Sequence, residues 1–95
     1  MRSHLIQQHR EAILDLAARH GASNVRIFGS LARGEGSENS DLDLLVTLEE
    51  KRSLLDLVGL KLDIEDLLNR SVDVVTEPAL SPYIRDLVLA EATPL

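Results

Sequence analysis

At 95 residues the chain has room for one domain and a modest core. Its net charge of −6, with ten Lys and Arg scattered among sixteen acids, argues against holding a long nucleic acid by itself. It has no cysteine, which excludes disulfides and thiolate metal sites, and only Phe28 and Tyr83 are aromatic, which leaves no stacking platform for bases. No apolar run approaches the length of a membrane span. Met1-Arg2-Ser3-His4 lacks the layout of a signal peptide. A cytoplasmic protein with no membrane contact and no direct nucleic-acid contact is therefore expected.

Taken in chain order, residues 3–20 predict a helix. Leu5, Ile6, His9, Ala12, Ile13, Leu16 and Ala17 recur on one face. Ser3 is placed to cap its start, and Gly21 suits the left-handed position beyond its end. Residues 24–28, Asn-Val-Arg-Ile-Phe, alternate as a strand. Gly29 to Gly34 predicts a turn entering one short helix, and 35–40 has loop chemistry. Residues 41–47 predict a second strand. The next helix covers 53–68, with Ser53 and Asp56 as a capping box, Leu57, Leu60, Ile64, Leu67 and Leu68 as its apolar stripe, and Asn69 at its end. Residues 71–76 predict a third strand. Ser81-Pro82 opens a last helix whose buried face is expected to be Ile84, Leu87 and Val88. The order is α-β-(short α)-β-α-β-α. It predicts an α/β (α+β) fold with a small mixed sheet of about three strands and helices packed on it. Residues 1–95 are expected to form one domain.

Asp41 and Asp43 lie two apart in a strand, so both point to one face, while Leu42 and Leu44 point to the other. Asp is disfavoured in strands, and two on one face repel. A cation would offset that cost. Mg²⁺ takes oxygen ligands, commonly one or two carboxylates plus substrate phosphates. Asp73, between Val72 and Val74, joins the pair if the third strand lies beside the second. Three carboxylates could then hold two metal ions, and Asp73 could instead take a proton from an attacking hydroxyl. The alternative is that these acids are solvated strand ends or turn formers.

Gly29-Ser30 ends an apolar strand. Gly lets backbone N–H groups approach an anion, Ser30 adds a hydroxyl donor, and a helical turn over 30–34 would attract phosphate. Arg33 either adds charge near those phosphates or pairs with Glu35 or Glu38 at the surface. Gly29 and Gly34 match the glycines of a Walker A loop, but Glu35-Gly36 replaces its Lys-Ser/Thr. His4, His9 and His20 do not assemble a site and are assigned structural or surface roles.

The segments Val25-Arg26-Ile27-Phe28-Gly29-Ser30-Leu31-Ala32-Arg33-Gly34, Ser40-Asp41-Leu42-Asp43-Leu44-Leu45-Val46 and Val72-Asp73-Val74-Val75 resemble the nucleotidyltransferase fold of the DNA-polymerase-beta-like superfamily. The resemblance is to its minimal nucleotidyltransferase (MNT) branch, which includes the MntA-type antitoxins of HEPN/MNT toxin–antitoxin pairs. It extends over essentially the whole chain. It implies that Gly29 and Ser30 hold a triphosphate, that Asp41 and Asp43 bind catalytic Mg²⁺, and that Asp73 is the third carboxylate. It further implies ATP as substrate and, as partner, a HEPN-domain ribonuclease toxin encoded by the neighbouring gene and held in a hetero-oligomer. The expected reaction is transfer of AMP to a tyrosine hydroxyl of that toxin. Two other functions compete: an antitoxin that only masks its toxin, and a small-molecule nucleotidyltransferase. Exposed parts of the last helix around Tyr83 and Arg85, and the 35–40 loop, are the expected docking surfaces.

Overall fold

A four-stranded mixed sheet organises the computed structural model, which describes residues 4–35 and 40–95. The expected cap at Ser3 and most of the 35–40 loop lie outside the described residues. The elements are α1 (His4–Gln8), α2 (Arg10–Arg19), β1 (Ala22–Phe28), β2 (Leu42–Leu48), α3 (Leu54–Leu68), β3 (Val72–Thr76), a 3-10 turn (Glu77–Ala79), α4 (Pro82–Glu91) and β4 (Thr93–Pro94). The spatial order is β3-β2-β1-β4. β1 pairs antiparallel with β2 and with β4. β2 and β3 are parallel, as their connection through α3 allows.

The alternation of β2 explains the two layers. Leu42, Leu44 and Val46 are buried on one face with Ile13, Ala17, Leu60, Ile64 and Leu68 from α2 and α3. Leu45 is buried on the other face with Leu80 and Val88, joined by the half-buried Phe28, Val75 and Leu89. A strand covered on both sides reads as a continuous apolar run, as Leu44-Leu45-Val46 does. Asp43 shares the parity of Leu45 and so belongs to the face that α4 covers.

Several local expectations hold. The Ser53 hydroxyl accepts from Leu55 N–H at 3.3 Å, and the Asp56 carboxylate accepts from Ser53 N–H at 2.9 Å. Asn69 ends α3 at φ 53°, and Gly21 sits at φ 76° after α2. Ser81 caps α4, with Pro82 at its first position. His20 meets Asp63 at 2.7 Å and ties the end of α2 to α3, a structural role.

Other expectations change. The first helix is two pieces, because His9 N–H bonds to Ile6 C=O at 3.2 Å in a tighter turn. The segment after Gly29 is a hydrogen-bonded turn rather than a short helix. A fourth strand, β4, sets Thr93 and Pro94 against Ile27 and Arg26. It is two residues long and contains Pro, which a sheet accepts at an edge. On α4 only Val88 of the expected trio is buried, while Ile84 is 46% and Leu87 65% exposed. α4 is seated through Val88, with Leu89 and Ala92 packed partly against the same cluster, and the rest of its apolar surface faces outward. Leu95 is buried and Leu89 half-buried against the protein's own core.

The buried middle of β2 should dominate stability. Leu44→Ala, at a position with no exposure, is expected to cost about 2–5 kcal/mol. Urea unfolding should show this as a lower midpoint with an unchanged slope.

Candidate active site

The parallel register sets Asp43 directly beside Asp73, and the antiparallel register on its other side sets it beside Phe28, the last residue of β1. Asp41 lies exposed just before β2. Asp43 is half-buried and Asp73 exposed. Burial is the first reason that the Asp43 carboxyl is raised above its usual 3.8; the neighbouring charges of Asp73, Asp41 and Glu91 add to it, and Arg33 opposes them. The three expected carboxylates are therefore close enough to repel one another electrostatically.

Gly29 brings the turn against this cluster. It has φ 77°, and a Cβ on it would collide with the Asp43 carboxylate. Glycine is needed there both for the left-handed backbone and for the close approach. The turn then closes on its own carbonyls: Arg33 N–H donates to Gly29 C=O at 3.2 Å, Glu35 N–H to Ser30 C=O at 2.9 Å and Gly34 N–H to Leu31 C=O at 3.3 Å. Leu31 is buried and pins the turn to the core. The N–H groups of Ser30, Leu31 and Ala32 make no hydrogen bond among the described residues. Three successive open amides resemble the first turn of a helix and suit an anion. The half-buried Ser30 adds its hydroxyl beside them.

Arg33 pairs with Glu35, as one reading of the sequence expects, its Nε donating at 3.1 Å. It also donates through Nη1 to Glu91 at 2.8 Å. Glu91 had no place in the sequence reading. Its other carboxylate oxygen accepts from Gly29 N–H at 3.0 Å. The Arg33 hydrogen bond is the main reason its carboxyl is held below the usual value, helped by the Gly29 amide and opposed by burial. One signal existed: Glu91 ends a helix, where the helix dipole disfavours a negative charge.

A divalent cation fits the donor set. Asp43 forms no ion pair among the described residues, and beyond its burial the acids around it raise its carboxyl while Arg33 only partly opposes them. No group of three His, Cys, Asp or Glu among the described residues is arranged to hold a metal by itself. The expected cage of three carboxylates is thus not assembled among these residues, and a metal held here would need ligands from elsewhere, such as the phosphates that commonly complete Mg²⁺ coordination. A groove of about 600 Å³ lies elsewhere, at the far ends of β2 and β3, lined by Val46, Leu54, Leu57, Thr76 and Arg85 among others. Arg85 is thus half-buried rather than part of an exposed docking face.

Two outcomes follow from this geometry. Gly29→Ala is expected to cost about 1–2 kcal/mol from its left-handed backbone and more from the collision with Asp43. The second part should vanish in an Asp43→Ala background, which a double-mutant cycle by urea unfolding would detect. For Asp43 itself, a raised carboxyl means that the folded chain binds the proton more tightly than the unfolded chain. Stability contributed by the protonated group is therefore lost as pH rises from about 3.8 through the folded value. Asp43→Asn should raise the melting temperature of the metal-free protein near neutrality. That gain should shrink as the pH falls toward 3.8 in a pH series of thermal melts.

Comparison with known proteins identifies the family. A family described as the nucleotidyltransferase domain matches residues 6–94. A candidate protein adenylyltransferase of Methanocaldococcus jannaschii is 42% identical over 87 residues, covering 92% of this chain and 94% of that protein. The protein adenylyltransferase MntA of Thermococcus cleftensis is 42% identical over 77 residues, covering 81% of this chain and 78% of the relative. The structure of a candidate minimal nucleotidyltransferase superposes with a TM-score of 0.87 at 56% identity, covering 100% of this chain and 97% of that one. Two more distant structures share the fold. A toxin–antitoxin complex with AMP-PNP has a TM-score of 0.75 at 21% identity, covering 88% of this chain and 69% of that one. The toxin–antitoxin MntA-HepT has a TM-score of 0.69 at 19% identity, covering 92% and 68%. With its Gly-Ser turn set against a pair of cross-strand carboxylates, the chain belongs to the nucleotidyltransferase domain family and is a nucleotidyltransferase.

Proposed function

We propose that this protein is the antitoxin of a type VII-like toxin–antitoxin pair, acting in the cytoplasm. It neutralises a HEPN-domain ribonuclease toxin, encoded by the neighbouring gene, by moving AMP from ATP to a tyrosine hydroxyl of that toxin. One observation carries the reading: a turn with three open amides abuts Asp43, a half-buried carboxylate set beside Asp73 and near Asp41. The names of the relatives, protein adenylyltransferase, support the reaction class. The toxin–antitoxin complexes that share the fold support the kind of partner.

In this reading Ser30 and the amides of Ser30, Leu31 and Ala32 hold the outer phosphates of ATP. Arg33 stands at the end of the same turn. Asp41 and Asp43 would hold Mg²⁺, and Asp73 would be available to a second ion. Bound Mg²⁺ would neutralise the phosphates and the charge that builds on the departing pyrophosphate. The tyrosine oxygen forms a bond to the α-phosphorus as the bond from that phosphorus to the bridging oxygen breaks, and pyrophosphate leaves. If Asp73, exposed beside Asp43, holds no ion, it would instead take the proton of the hydroxyl. The exposed Tyr83, Ile84 and Leu87 lie on the helix that covers the carboxylate face, and they favour a protein acceptor over a small molecule.

Those same apolar positions also support a second reading, in which the toxin is masked by binding alone. The two readings separate in one experiment. The purified pair is incubated with ATP and Mg²⁺, and the toxin is weighed by mass spectrometry. The enzymatic reading expects one or more added AMP units on a tyrosine. Asp43→Asn should slow the addition by more than about 100-fold, since even groups that merely support a metal ligand are worth about 10–100-fold. Ser30→Ala should be milder, weakening ATP by about 2- to 13-fold for one lost neutral hydrogen bond. An unmodified toxin that is nonetheless inactive in the complex would leave masking as the function.

A further inference from the structure

We infer that Glu91 is a positioning residue for the nucleotide, bracing the Gly29–Ser30 turn from the end of α4. The inference rests on the reading above that this turn holds the triphosphate. Glu91 comes from 62 residues away and grips the turn at both ends. One carboxylate oxygen takes the N–H of Gly29 at 3.0 Å, and the other takes Nη1 of Arg33 at 2.8 Å. These two residues are four apart and already joined by the bond from Arg33 N–H to Gly29 C=O. One side chain therefore closes a second ring around the same loop of backbone.

The direction of the bonds separates a brace from a competitor. A carboxylate sitting in an anion site would take the amides that an anion needs. Glu91 takes only the amide of Gly29 and leaves those of Ser30, Leu31 and Ala32 open. With Gly29 N–H satisfied, the peptide plane between Phe28 and Gly29 is held, and the three open amides keep their orientation. Arg33 is held at the end of the turn by Glu91 and Glu35 together, where an unpaired arginine would be free to fold onto the nearby Asp43 carboxylate. The Glu91 side chain is 17% exposed, so water competes weakly for its oxygens. Its charge is disfavoured both by the helix end and by Asp43, and the two turn donors offset that cost.

The test uses AMP-PNP with Mg²⁺, titrated against the full chain well below its unfolding midpoint. Glu91→Ala should raise Kd by about tenfold or more, as expected for loss of a charge-assisted hydrogen bond. Glu91→Gln, which keeps an acceptor for Gly29 N–H but not for Arg33, should fall between Glu91→Ala and wild type. In turnover the loss should appear in KM for ATP, with kcat changed much less. A merely structural salt bridge would lower the melting temperature and leave Kd of the folded protein unchanged. An unchanged or lower Kd in both variants overturns the inference. A distinct failure points further back: if Gly29→Val binds AMP-PNP as tightly as wild type, or wild type does not bind it, the turn is not the phosphate site and both readings fall.

Discussion

The pairing of Asp43 with Asp73 across two parallel strands is the constraint on which the site depends. A strand repeats every two residues, so a slip of one position would send Asp73 to the opposite face and leave Asp43 beside a valine. What prevents the slip is apolar burial rather than anything in the carboxylates, which repel. Leu42, Leu44 and Val46 must all reach the core under α2 and α3, and Val72 must join them. The α3 crossover delivers β3 alongside, and its length is defined by a capping box at Ser53 and a left-handed Asn69. The core therefore sets a like-charged pair side by side against its own electrostatic preference.

That arrangement concentrates unfavourable terms in one place. Asp43 is partly buried, feels three other acids, and lies under a glycine that no other residue could replace without a collision. Much of the rest of the molecule is locally consistent, with capped helices, satisfied turns and an apolar middle. Local conflict concentrated in a few neighbouring residues is what a functional site produces. A cation would relieve the repulsion at Asp43, and the open amides of the turn suit an anion. A metal–nucleotide complex provides both signs at once.

α4 links this site to the outer surface. Its inward side contributes Val88 to the core, its last residue holds the Gly29 turn, and its outward side presents Tyr83, 97% exposed, with Leu87 one turn on. α3 shows a similar division on the opposite layer, with Leu60, Ile64 and Leu68 buried and Leu54, Leu55, Val58 and Leu62 exposed. Two helices that are apolar on both sides are unusual for a chain whose net charge is −6. The helix that bears this outward surface covers the same face of the sheet as the carboxylates, and its last residue touches the Gly29 turn.

The sequence by itself determined the long helices, the three main strands, their caps, and the spacing that puts Gly29, Ser30, Asp41 and Asp43 within one strand–turn–strand unit. Those features are legible because they are local: periodicity, capping chemistry and the parity of a strand act over a few residues. The nearness of Asp73 was readable only as a condition on strand order, and the tertiary structure met that condition through the parallel register. Tertiary structure alone decided the rest. The edge strand at Thr93–Pro94 exists because β1 offers it an open side, and its own residues carry almost no strand signal. Ile84 and Leu87 share helical spacing with Val88, yet which of them is covered depends on how the helix is seated on the sheet. Glu91 reaches the turn across 62 residues of chain, and no local rule relates the two. Pairing between distant side chains is set by how the layers stack, which periodicity does not encode.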